Sequence, residues 1–136
     1  TRGRGRRVAA ERPRRGLPLL VGAAALLLAL GALPACGGEA AKAVAAGKAA
    51  SVRHGCLACH SVDGSIWLGP SWKGMYGSQL TFTDGSRALA DEDYIRESIK
   101  SPTAKVMQGW EPTMPAQIPT SSQEIEAIIA YIKSLK

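Results

Sequence analysis

Five consecutive residues, Cys56-Leu57-Ala58-Cys59-His60, bring two thiols and an imidazole together in a C-x-x-C-H run, the spacing at which a c-type haem is attached to a polypeptide. In a helical segment residues three and four apart are neighbours, so Cys56, Cys59 and His60 fall on one face. Two thiols on that face can each form a thioether to a haem vinyl group, and the imidazole can then reach the iron. Two other chemistries use paired cysteines. A structural zinc site wants four ligands, normally as two separated pairs, and the chain has no second Cys pair. A thiol–disulfide site wants a strand before the C-x-x-C and a βαβ context, which the surrounding sequence does not offer. The run therefore predicts one covalent haem c on Cys56 and Cys59, with His60 as an iron ligand.

An iron held by one imidazole takes a sixth ligand or stays open. Downstream stand Met75, Met107 and Met114. A lone Met is more often a core filler than a ligand, and Met75 and Met107 suit that role. Met114 lies in Pro112-Thr113-Met114-Pro115, where flanking prolines leave the backbone little entropy to lose. Met114 is the expected second ligand.

The elements that must position these residues follow from the local pattern. Glu39 to Arg53 is Ala- and Lys-rich, a helix-forming composition. Gly47 inside it predicts a close contact with another helix. His54-Gly55 ends this helix, and His54 is expected to be solvated there. Ser61 to Tyr76 reads as loop, and Gly77 to Ala90 as loop or a small hairpin turning at Asp84-Gly85. Asp91 caps a helix running to Lys100, and Ser101-Pro102 stops it. Thr103 to Thr120, with three Pro, is an ordered loop. Ser121 to Glu124 forms a capping box for a last helix whose Ile125, Ile128, Ile129, Ile132 and Leu135 make an apolar stripe at helical spacing.

The chain has 136 residues and a net charge of +6, about one domain's worth. Residues 1–35 hold seven Arg and one Glu, and residues 36–136 hold as many basic as acidic groups. All the excess charge sits in one N-terminal stretch, which argues for targeting and against nucleic acid as a partner. Arg-rich Thr1 to Gly16, followed by apolar Leu17 to Leu33, reads as an export signal. Leu33-Pro34-Ala35-Cys36 resembles a bacterial lipobox, whose Cys is lipidated and becomes the mature N-terminus. The expected organisation is a lipoprotein signal peptide over 1–35, a lipidated tether over 36–40 and a haem domain over 41–136. An uncleaved anchor is the alternative, although seventeen apolar residues fall short of the usual ~20 for a span. With two Cys for haem and Cys36 for lipid, none remains for a disulfide.

Residues 39–136 resemble the small monohaem class I cytochromes c. The likeness rests on Gly47, on Cys56 to His60, on Gly69-Pro70, on Met114-Pro115 and on Ala130-Tyr131-Ile132 in the last helix. Val62 to Ser65, Gly69 to Gly74 and Tyr94 to Ile99 are similar to the cytochrome domain fused to subunit II of some bacterial haem–copper oxidases; the copper-binding half is absent from this sequence. The resemblance implies an all-α, cytochrome c-like fold wrapped round one haem. It implies that Pro70 offers its carbonyl to His60 and that Gly47 meets Tyr131 where the first and last helices cross. It also implies an exposed haem edge bordered by Leu57, Ala58 and Ala116. Ala50 and Ser51 depart from the larger residues of relatives and predict a looser crossing. Trp72, Tyr94 and Trp110 are candidates for contact with the haem or its propionates, or equally for plain core packing.

The function expected from these residues is electron carriage rather than catalysis, because ligation by His60 and Met114 leaves no open position and favours a relatively high potential. A ligand-binding or peroxidase-like cytochrome, in which Met114 leaves the iron, is the alternative. Lipidated Cys36 would hold the domain at the outer, periplasmic face of a bacterial cytoplasmic membrane, as a subunit or neighbour of a respiratory complex. About five tether residues reach at most roughly 17 Å, which keeps it there. A quinol-oxidising complex is the expected donor, and a terminal oxidase or a soluble cytochrome the acceptor.

Overall fold

The structure, a computed structural model, describes residues 36–116 and 118–136. The expected signal peptide over 1–35 lies outside them. The described chain runs α1 (Cys36–Arg53), a 3₁₀ turn (Cys56–Ala58), β1 (Gln79–Thr81), β2 (Arg87–Leu89), α2 (Glu92–Lys100) and α3 (Ser122–Ser134). It is mostly helical, with one two-stranded antiparallel hairpin, Gln79 opposite Leu89 and Thr81 opposite Arg87. The first helix begins three residues before the expected Glu39, so residues 36–40, expected as a tether, are the start of α1. No helix among the described residues is long and apolar enough to cross a membrane.

The two later helices start where side chains replace missing backbone partners. Asp91 accepts from the Tyr94 N–H at 2.8 Å, and Glu92 and Asp93 in the first turn complement the helix dipole. At α3 the Ser121 hydroxyl accepts from the Glu124 N–H, while the Glu124 carboxylate accepts from the Ser121 N–H at 2.9 Å, a reciprocal box. That backbone N–H, followed by Arg53 and then His54, holds the Glu124 carboxyl down at about 2.

The apolar stripe of α3 is the centre of the core: Ile125, Ile128, Ile129, Tyr131 and Ile132 are all buried, packed with Leu80, Phe82, Tyr94 and Ile95. Helix α1 crosses α3 at Gly47. A Cβ built there would stand 1.8 Å from the Ala127 carbonyl oxygen and 2.8 Å from the Tyr131 Cβ. Ala50 and Ser51 do not loosen this crossing. Both are buried, Ser51 at 0 % exposure, and the Ser51 hydroxyl donates to the Gly47 carbonyl at 2.8 Å. Small residues let the two backbones approach, so the contact is tight because its side chains are short.

Gly47→Ala is expected to destabilise the protein by about 3 kcal/mol, the upper part of the usual overpacking range. The ~1 kcal/mol that Ala gains over Gly in a helix is too small to offset a clash with backbone. Denaturant unfolding of the haem-loaded protein reads this out, and an unchanged midpoint would mean that the helices do not cross here.

The Pro-rich segment after α2 is fastened to the hairpin rather than loose. The Thr83 N–H donates to the Val106 carbonyl and the Gln108 N–H to the Thr81 carbonyl, both at 2.9 Å, and Phe82 bridges Met107. This attachment carries the segment holding Met114 back over the core.

Candidate functional site

The C-x-x-C-H run forms a single tight turn directly after α1. Both the Cys59 N–H (3.2 Å) and the His60 N–H (3.0 Å) donate to the Cys56 carbonyl. The turn thereby combines the three- and four-residue spacings that gather Cys56, Cys59 and His60 on one side. Both thiols are free and half-buried, and burial raises the Cys56 thiol above its ordinary value. No strand precedes them, since α1 does. Among the described residues no group of three or more His, Cys, Asp or Glu could hold a metal ion. Neither a thiol–disulfide context nor a four-ligand zinc site is present there.

His60 is the most constrained side chain of the site. Its Nδ1 lies 2.8 Å from the Pro70 carbonyl. Donation to that carbonyl protonates Nδ1 and leaves the lone pair on Nε2, the nitrogen then available to a metal. Burial pushes the ring below its ordinary value, only partly countered by the bond to Pro70, so the ring is neutral. Gly69 runs against it: an added Cβ would stand 2.7 Å from Cε1 and 2.9 Å from Nδ1. The Gly69 N–H donates to the Cys59 carbonyl at 2.8 Å, tying the Gly-Pro pair to the haem motif.

These residues line one cleft with about 1300 Å³ of empty space, part of it open to solvent. Cys56, Cys59 and His60 form one wall, Pro70 and Trp72 adjoin them, and Met114 comes from the Pro-rich segment. Ile95 of α2 and Ile128 and Ile132 of α3 line it as well, so the inner face of the core is also the cleft. A wide apolar space with two free thiols, a neutral imidazole and a thioether fits a flat macrocycle joined through both cysteines. The model of the cytochrome c family matches residues 44–136.

The chain belongs to the cytochrome c family. It is a haem-based electron carrier of the cytochrome c fold, and the family's covalent haem c fits here as one group on Cys56, Cys59 and His60. No curated protein matches the sequence at a significant level. Among the expected aromatics of this cytochrome, Trp72, Tyr94 and Trp110 all line the cleft. All three candidate methionines do too, but Met75 and Met107 also pack on the core cluster and Met114 does not.

Several side chains have surroundings that the sequence did not foretell. His54 is enclosed, its side chain 11 % exposed, with Nε2 3.2 Å from Glu124 Oε1. The two atoms are close but poorly aligned for a hydrogen bond. Its partner is seventy residues away on α3, beyond the reach of any local pattern. Leu68 lines the cleft while staying exposed, next to exposed Ile66 and Trp67. Leu57, Ala58 and Ala116, expected at the haem edge, are not among the residues lining this cleft. Trp72 stacks on His60, and its sequence neighbourhood, an irregular loop, gives no periodicity from which to read that contact.

Proposed function

We propose that this cytochrome carries single electrons on a haem ligated by His60 and Met114, held at a membrane surface through lipidated Cys36. The observation that carries the ligand assignment is the difference among the methionines. Met75 and Met107 are engaged by the core, whereas Met114 is half-buried at the cleft without packing on that cluster. A bound haem supplies the iron that takes up and gives back one electron. The chain's own part is to keep two axial donors in place through that change. Pro70 fixes the protonated side of His60 and makes the ring a stronger donor. Prolines 112 and 115 limit how far Met114 can withdraw. The apolar lining of the cleft limits water around a bound haem, which favours the state of lower charge and so a higher potential.

Placement beside a respiratory complex rests on Cys36 and on the geometry after it. A lipidated Cys36 at the first residue of α1 leaves no extended linker, and a helix advances only about 1.5 Å per residue. The haem domain then stays close to the bilayer, where a quinol-oxidising donor and an oxidase or soluble cytochrome acceptor would meet it.

An optical redox titration tests the reading. The expected result is one reversible single-electron step and a methionine–iron absorption band in the oxidised protein. A missing band together with ready binding of carbon monoxide favours the peroxidase-like or sensing alternative. Mass spectrometry of the native N-terminus should find an acylated Cys36; an intact Arg-rich segment would show an uncleaved anchor instead.

A further inference from the structure

The hydrogen bond to Pro70 fixes one atom of the His60 ring but not its plane. A ring held at Nδ1 alone can still tip about that contact, and Gly69 blocks only the directions in which its backbone lies. A further contact is Trp72, with ring centroids 5.2 Å apart and an interplanar angle of 24°, inside the range in which stacked aromatic pairs attract. Trp72 is itself 6 % exposed and held from two sides. Its N–H donates at 2.9 Å to the carbonyl of Ser61, the residue after His60. Tyr131 of α3 meets it edge-on at 6.3 Å and 82°. Tyr131 in turn stands at the helix crossing, where its Cβ is one of the atoms that forbid a side chain at Gly47. Contacts therefore run unbroken from the crossing, through Tyr131 and Trp72, to the imidazole.

We propose that Trp72 is a positioning residue for His60, setting the plane of the imidazole by stacking and shielding its bond to Pro70 from water. The inference rests on His60 being an iron ligand and can fail separately from that reading. A core filler at position 72 would affect stability alone. A positioning residue also affects what the ligand presents to the iron. Without the indole the ring gains freedom and water approaches, which stabilises the more highly charged oxidised form and lowers the potential.

The test uses the full haem-loaded chain and two variants. Trp72→Leu keeps an apolar side chain without a ring, and Trp72→Phe keeps a ring that can stack. In Trp72→Leu the proton NMR pattern of hyperfine-shifted haem methyls in the oxidised protein should change and the potential should fall. The His60 Nδ1–H should exchange about tenfold faster, a loss of about 1.4 kcal/mol of protection. Trp72→Phe should restore all three toward the parent. Parent-like methyl shifts and potential in Trp72→Leu, with only a lower melting temperature, overturn the proposal. So do equal shifts in both variants, which would make volume the cause. If Trp72→Leu does not fold, the reduced parent protein decides: nuclear Overhauser contacts between the Trp72 indole and the His60 ring are expected, and their absence refutes the stacking. If His60 were not the ligand, the parent would lack a low-spin imidazole signature, a different failure from any of these.

Discussion

Replacing Cys56 and Cys59 together with Ala should yield a polypeptide that carries no covalent haem and has lost most of its helical circular dichroism. The reason lies in where the core faces. Ile95, Ile128 and Ile132 belong both to the buried cluster and to the lining of the cleft, so the same side chains need the haem on one side and each other on the other. The chain has one Phe, Phe82, and it lies inside that cluster. A small domain buries too little surface to tolerate losing one side of its core. Acid–acetone extraction of the parent should leave the haem with the polypeptide, and free haem in the extract would refute covalent attachment. A fully helical double variant would mean that the three helices hold without the macrocycle.

Met114→Ala should give a folded, haem-loaded protein of lower potential that binds cyanide or carbon monoxide readily, where the parent resists both. Removal of the sulfur donor takes away the ligand that favours the reduced iron and opens a position. Little core packing should be lost, because Met114 does not pack on the core cluster. Met107→Ala should show the opposite balance. Its side chain supports the core and its backbone bridges Phe82, so it should lose about 2 kcal/mol, the low end for truncating a packed Met, with an unchanged spectrum. Met75→Ala should resemble Met107→Ala. An open site in Met107→Ala would refute the ligand assignment.

The parts of this fold that were legible in the sequence are those written in local chemistry. Asp91 and Ser121 mark the starts of α2 and α3 because capping is settled within three residues. Asp84-Gly85 marks the hairpin turn for the same reason, and the Ile stripe of α3 needs only helical spacing. The haem motif was legible because covalent attachment is encoded in five adjacent residues. What escaped depends on contacts between distant segments. His54 meets Glu124, Trp72 stacks on His60 through a loop that brings it back, and the tightness of the crossing depends on Ala127. Short residues at positions 50 and 51 predicted slack in isolation. Only the opposing helix reveals that they permit closer approach. The start of α1 escaped because Gly37 and Gly38 are poor helix formers, yet both are helical here.

The crossing at Gly47 also has a consequence for the order in which the protein is made. Its two halves, Gly47 and Ala127, are separated by most of the domain, and closing so long a loop is slow relative to local helix formation. During synthesis α1 waits without its partner until α3 has emerged, and the cysteines lie inside the loop still to be closed. Before closure both thiols are in open chain and freely approached. After closure they belong to a cleft wall, and burial leaves Cys56 with less of the thiolate that reacts. Haem attachment is therefore favoured on the open chain, before the last helix docks on α1 and completes the cleft wall.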